Sequence, residues 1–182
     1  MNHDILFAGF GGQGVLTAGL VLAQMGVDAG LEVLWSPAYG GEMRGGKAYS
    51  MVKLSDAYIL DPGCEYLTAL VAMNGPALDF TEKLQAGGVL IVNDIVTPEH
   101  IPQGDWKVFR APLQTFADEN GNPRSANLAA VGCAVGALGL FDRAQAEAGV
   151  RRFFERKGKA ALGVSGAAAL GAGYAFCTEQ EA

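Results

Sequence analysis

The sequence predicts an α/β protein, three-layer α/β/α, with helices on both faces of a mixed, mostly parallel sheet. Three observations carry this. A short apolar run ends in glycines and opens directly into a helical pattern. A stretch of strict two-residue alternation then interrupts the strand–helix rhythm. The last third of the chain reads as helices.

Asp4 to Phe10 is an apolar run, so it is assigned as a buried strand. Gly14 to Asp28 has helical spacing, with Val15, Leu16, Leu20, Leu22, Ala23 and Val27 available for packing, and Gly30 ends it. Leu31 to Trp35 is a second strand, closed by Ser36-Pro37. A strand–helix–strand unit of about thirty residues predicts a parallel pair. Pro37 to Gly46 is a glycine-rich loop. In Lys47 to Leu54, Ala48, Ser50, Val52 and Leu54 alternate with Lys47, Tyr49, Met51 and Lys53, the mark of a strand with two different faces. Leu67 to Met73 is the next strand, followed by a helix from Pro76 to Gln85. Gly87-Gly88 turns the chain into a strand at Val89 to Asn93, and Lys107 to Arg110 is a further short strand. From Ser125 onward the chain is mainly helical. With no repeat and no linker, residues 1–182 are expected to form a single domain.

Composition narrows the function classes. Apolar residues make up 50% and charged residues 18%, below the usual quarter. Either partner subunits cover part of the surface, or small residues fill a large core. The net charge of -6 is spread along the chain, whereas nucleic-acid binding needs a clustered basic face. Arg151, Arg152, Arg156, Lys157 and Lys159 do cluster around Phe153 and Phe154, which reads as a solvated helix face or an interface with an acidic partner. The start, MNHDILFAGF, lacks a basic segment and a small-residue cleavage site, which points to the cytoplasm. Asn127 to Phe141 is too short to cross a bilayer. Ala160 to Cys177 is long enough but mostly alanine and glycine. Both are read as buried helices, the second with a strand at its end, and no membrane role is expected. Gly132, Gly136, Gly139, Gly163 and Gly166 would let these helices approach closely. Cys64, Cys133 and Cys177 have neither metal nor iron–sulfur spacing, and His3 and His100 are the only histidines. This chain is therefore expected to hold no metal and no cluster, with Cys133 and Cys177 as buried thiols.

Residues 9–14, GFGGQG, place Gly9, Gly11 and Gly14 in the G-x-G-x-x-G pattern between a strand and a helix. Gly9 would permit the tight turn, Gly11 would let backbone approach an anion, and Gly14 would allow close helix–strand packing. The helix start adds free N–H groups and partial positive charge. The same pattern also fits a tight turn with no ligand. A dinucleotide needs an acidic residue at the end of the second strand, where this sequence has Trp35-Ser36-Pro37. NAD and FAD are thereby disfavoured. Ser36 with Arg44 keeps open a stand-alone, Rossmann-like NADP-binding reductase, and a scaffold protein without ligand is a further alternative.

GFGGQGVLTAG at 9–19 and PAYGGEMRGGKAYSMVKLSD at 37–56 resemble the gamma subunit of the 2-oxoacid:ferredoxin oxidoreductases, of the 2-oxoglutarate or 2-oxoisovalerate type. So do LVAMN at 70–74, GGVLIVND at 87–94 and the run beginning at Asn127. The resemblance implies a fold like the gamma domain of pyruvate:ferredoxin oxidoreductase. It implies a complex that converts a 2-oxoacid and coenzyme A to acyl-coenzyme A and CO2, reducing ferredoxin. Thiamine diphosphate and iron–sulfur clusters would lie on alpha, beta and delta partners, and this chain would supply assembly and a coenzyme A contact but no catalytic residue. The binding set it implies is Gly9, Gly11, Gly12, Gln13, Gly14, Tyr39, Arg44, Gly45, Gly46 and Asn127. Arg44 fits an ion pair with Glu42 or a partner ahead of a phosphate contact. Tyr39 can stack on a ligand or cap the core, and Asn127 can face the ligand or cap its helix. The isolated chain is expected to self-associate as a homodimer through the face its partners would cover.

Overall fold

The computed structural model describes residues 1–39 and 46–180. Contacts divide the chain into two compact units, Met1–Arg110 and Ala111–Ala182.

The first unit is built on a sheet of order β2-β3-β1-β4-β5-β6 among the described residues. Its strands are β1 (Asn2–Phe10), β2 (Glu32–Tyr39), β3 (Lys47–Ser55), β4 (Leu67–Ala72), β5 (Leu84–Asn93) and β6 (Trp106–Ala111). β1 pairs in parallel with β4, and β4 with β5. β3 runs antiparallel to both β1 and β2. The sheet is thus mixed, with β3 alone reversed among β1 to β5. Helix α1 (Val15–Asp28) follows β1, and Gly30 closes it with φ of +78°.

Two side-chain layers cover the sheet. On the α1 side, Ala48, Ser50, Val52 and Leu54 of β3 are buried, as the alternation predicted. Gly19 leaves room there for the Trp35 Nε1–H to donate to Ser50 Oγ at 2.7 Å, and a Cβ at Gly26 would come within 2.6 Å of Leu54. On the other face, Leu6, Ala8, Leu70, Ala72, Leu90 and Val92 form a buried cluster with Ala77 and Leu78. Tyr49 packs on that cluster edge-on to Phe80, with ring centroids 5.3 Å apart.

Several expectations are corrected here. β1 and β2 run in the same direction but are not neighbours, because β3 inserts between them. β2 does not stop at Ser36-Pro37 but continues to Tyr39. It is an edge strand with β3 as its one neighbour, where a proline's missing N–H is tolerated. The helix expected from Pro76 to Gln85 is a 3₁₀ segment, Gly75–Lys83, whose first turn is capped by Asn74. Gly87 and Gly88 lie inside β5 as an irregularity, Gly87 at φ +73°.

The second unit contains α2 (Leu113–Glu119), α3 (Ala126–Leu138), α4 (Arg143–Glu155) and α5 (Ala160–Glu179). α3 and α5 meet backbone to backbone. A Cβ at Gly132 would strike the Leu170 carbonyl, one at Gly173 the Ala129 carbonyl, and one at Gly136 would lie 2.8 Å from the Tyr174 carbonyl. Gly163 and Gly166 are likewise contact positions, against Arg151 and Leu128. Gly139 is different: it has no neighbour there and ends α3 in the left-handed region, φ +61°. α5 is helical to Glu179, so the strand expected at its end is absent. By length and composition α5 could cross a membrane, and 44% of its apolar window is buried in this fold. In the basic stretch, Phe153 is buried, and Lys157 Nζ lies 4.1 Å above its ring.

Candidate functional site

The glycine loop leaves the carboxyl end of β1. From β1 the chain crosses through α1 to one side of the sheet, while β4 and β5 extend the other side. The carboxyl edge between β1 and β4 is therefore the place where open α/β sheets bind ligands.

Residue by residue, the loop differs from the simple glycine pattern. Gly9 is still in β1, and its missing Cβ makes the room: a Cβ there would lie 2.6 Å from Gln13 Oε1 and 3.0 Å from Met73 Cβ. Close packing, expected of Gly14, belongs to Gly9. Gly14 instead supplies a left-handed backbone, φ 75°, at the helix N-cap, and Gly12 turns at φ 98°. The Gly11 N–H, expected to approach an anion, donates to the Gly46 carbonyl at 3.1 Å. That bond ties the glycine loop to the loop preceding β3. The first turn of α1 carries no side-chain cap and no acidic residue. Its leading N–H groups have no acceptor within the helix and carry the positive end of its dipole.

Gln13 holds the loop in place. Its Oε1 accepts from the Phe10 N–H at 2.7 Å and from Asn74 Nδ2 at 2.9 Å, and its Nε2 donates to the Met73 carbonyl at 3.2 Å. Asn74 Oδ1 accepts the Ala77 N–H at 3.0 Å. Asn93 Nδ2 donates to the same Met73 carbonyl at 3.3 Å. Three carboxamides, following β1 and β4 and ending β5, thus share one network. At the mouth, Lys47 Nζ pairs with Asp79 at 2.6 Å in the open.

The structure therefore brings together Gly9, Gly11, Gly12, Gln13, Gly14 and Gly46. Arg44 and Gly45 lie outside the described residues, and Tyr39 is placed by its backbone, at the end of β2 opposite Ala48. Asn127 is in the second unit, buried in the first turn of α3. It does not cap that helix, whose N-cap is Ser125. Asn74, just after β4, and Asn93, at the end of β5, were not among the residues singled out from the sequence.

The dinucleotide alternative loses its geometry. A Rossmann site needs the second strand beside the first, and here β3 separates β1 from Ser36 on β2. Among the described residues no group of three or more His, Cys, Asp or Glu is placed to hold a metal ion. Cys64 is half-buried, and burial and then Asp4 push its thiol pKa up to about 11. Cys133 is buried against Cys177, and that hydrogen bond, with burial, raises its pKa well above the ordinary range.

Residues 4–176 match the family model described as pyruvate ferredoxin/flavodoxin oxidoreductase. Ketoisovalerate oxidoreductase subunit VorA of Methanothermobacter marburgensis is 36% identical over 158 residues, covering 85% of this chain and 33% of the relative. The chain thus spans about a third of that relative's length. Among solved structures, a keto/oxoacid ferredoxin oxidoreductase gamma subunit from Geobacter sulfurreducens superposes with a TM-score of 0.80 at 27% identity, covering 97% of this chain and 99% of that one. The 2-oxoglutarate:ferredoxin oxidoreductase from Magnetococcus marinus, solved with 2-oxoglutarate, coenzyme A and succinyl-CoA bound, superposes at 0.82 with 25% identity, covering 98% and 31%. These likenesses run through both glycine loops and the whole α/β fold. The chain belongs to the pyruvate ferredoxin/flavodoxin oxidoreductase family.

Proposed function

We propose that this chain is the gamma-type subunit of a complex that converts a 2-oxoacid and coenzyme A to acyl-coenzyme A and CO2 and reduces ferredoxin. Its residues 1–182 act as one unit in a cytoplasmic assembly with alpha and beta subunits, and with a delta subunit where one is present. Thiamine diphosphate and iron–sulfur clusters reside on those partners. This chain's own residues position and enclose coenzyme A.

The observation that carries this reading is the junction of the two glycine loops, Gly11 N–H to the Gly46 carbonyl, beside the uncapped start of α1. An anionic group there meets backbone N–H donors and no nearby acid in the helix's first turn. Coenzyme A carries such groups, and it is bound in the Magnetococcus relative. Arg44, in the same glycine-rich loop as Gly46, adds a guanidinium suited to phosphate. On this reading the backbone donors and carboxamides of this edge bind and orient coenzyme A while the partners react.

The test is co-expression with alpha and beta partners, assayed by 2-oxoacid-dependent reduction of a viologen. Arg44→Ala is expected to weaken assembly or raise the coenzyme A requirement. Normal assembly with normal coenzyme A kinetics would contradict the role given to Arg44, and a chain that alone oxidised a substrate with NADP would contradict the whole reading.

A further inference from the structure

α3 and α5 touch through glycines, and a cysteine of each helix stands inside that contact. Cys133 follows Gly132, whose absent Cβ would strike the Leu170 carbonyl, and the Cys133 backbone nitrogen lies 3.1 Å from where a Gly173 Cβ would stand. Gly136, one turn on, makes the same close approach to Tyr174 and Thr178. Cys177 sits one helical turn beyond Gly173, between those two residues. The two thiols meet there in a hydrogen bond, and both residues are wholly buried. A disulfide needs Cα atoms closer than about 7 Å. Helices that pack through ordinary side chains keep their axes about 8–10 Å apart, and glycine contacts bring them nearer. The crossing thus sets two thiols on facing helices where one bond can join them. The hydrogen bond also divides their roles. It holds the proton on Cys133, whose pKa it raises together with burial, so Cys177 is the thiol that attacks. Cys177 lies in the last turn of α5, which ends at Glu179, and a helix end opens locally at the least cost.

We propose that Cys133 and Cys177 are a disulfide-forming pair, a modification site that staples α5 to α3 when the chain meets a peroxide. The Cys177 sulfur attacks a peroxide oxygen and becomes a sulfenic acid, releasing water. The Cys133 sulfur then displaces a second water from it, and the S–S bond forms. Two thiols are oxidised, one hydrogen peroxide is reduced, and the two thiol protons leave in the waters. This inference stands apart from the coenzyme A reading, since it uses only the second unit.

The experiment uses the full chain, purified with a reductant and then freed of it. Hydrogen peroxide is added, the remaining thiols are alkylated, and the digest is weighed by mass spectrometry. A cross-linked pair of peptides carrying Cys133 and Cys177 is expected, lighter than the reduced peptides by a pair of hydrogens. Cys64, whose thiol pKa is pushed up to about 11, should stay free to be alkylated and serves as the internal control. The oxidised chain should melt at a higher temperature than the reduced one, and dithiothreitol should reverse both changes. Cys177→Ser should abolish the cross-link. Cys133→Ser should leave Cys177 as a sulfenic acid that dimedone traps. Cys133 and Cys177 recovered unmodified after peroxide, a cross-link through Cys64 in their place, or Cys177 carried to a sulfinic acid without a cross-link would each overturn the proposal. Should either variant fail to fold, the wild-type peptide map decides alone.

Discussion

Gln13 ties the glycine loop to the ends of β1 and β4 through its side chain. Gln13→Leu removes three hydrogen bonds and leaves the Phe10 N–H without its partner. The Met73 carbonyl keeps its Asn93 donor, so the two bonds whose partners are left unsatisfied, at about 1 kcal/mol each, put the loss at about 2 kcal/mol in denaturant unfolding. Gly9→Ala should cost about 1–3 kcal/mol, because the new methyl meets Gln13 and Met73 in a packed strand end. His3 gives a pH signature. Burial, then the nearby N-terminal ammonium, hold its pKa below the ordinary 6.5. The unfolded chain therefore binds the proton more readily, so stability should fall as pH drops below about 6.5. His3→Gln should flatten that slope in melts between pH 5 and 7; an unchanged slope would assign it to other groups. The glycine loop was legible in the sequence because its pattern is local. Asn74 and Asn93 were not, since their partners lie 61 and 20 residues away and no local pattern records that pairing.

Among the elements, β3 was read correctly because its two faces differ, Val52 and Leu54 facing α1 while Tyr49 and Met51 face the opposite cluster. Its place in the sheet was not readable. The strand–helix–strand unit gave the right direction for β1 and β2, but nothing local shows β3 inserting between them. Pro37 was taken as the end of β2, a rule that holds inside a sheet and relaxes at its edge. In the second unit, the glycines separate into two kinds with different costs. Gly132→Ala pushes a methyl into the Leu170 backbone, which cannot rotate away, and about 3 kcal/mol of destabilisation is expected. Gly139→Ala meets open space but a left-handed backbone, so about 1 kcal/mol is expected. Equal melting temperatures for the two variants would contradict the close α3–α5 contact. α4 begins with a full capping box between Asp142 and Gln145, and Asp142→Ala should cost about 1 kcal/mol in the same assay.

At the scale of the whole molecule, family membership rests on a match over residues 4–176 and on fold likeness over nearly the entire chain. Exposed apolar side chains cluster in the β3–β4 connection, where Tyr58 is 77% and Leu60 87% exposed. Such residues suit a chain that meets partners, and the low charge density had the same sense. The isolated chain is accordingly expected to self-associate, seen as a sedimentation coefficient that rises with concentration. The central claim is that this chain functions within a larger oxidoreductase. The most direct measurement is affinity purification of the tagged chain from its native source, followed by assay of the eluate. The account predicts co-purification of a thiamine-dependent alpha/beta pair and viologen reduction that requires both a 2-oxoacid and coenzyme A. A chain recovered without such partners, or an eluate whose 2-oxoacid oxidation ignores coenzyme A, would contradict it.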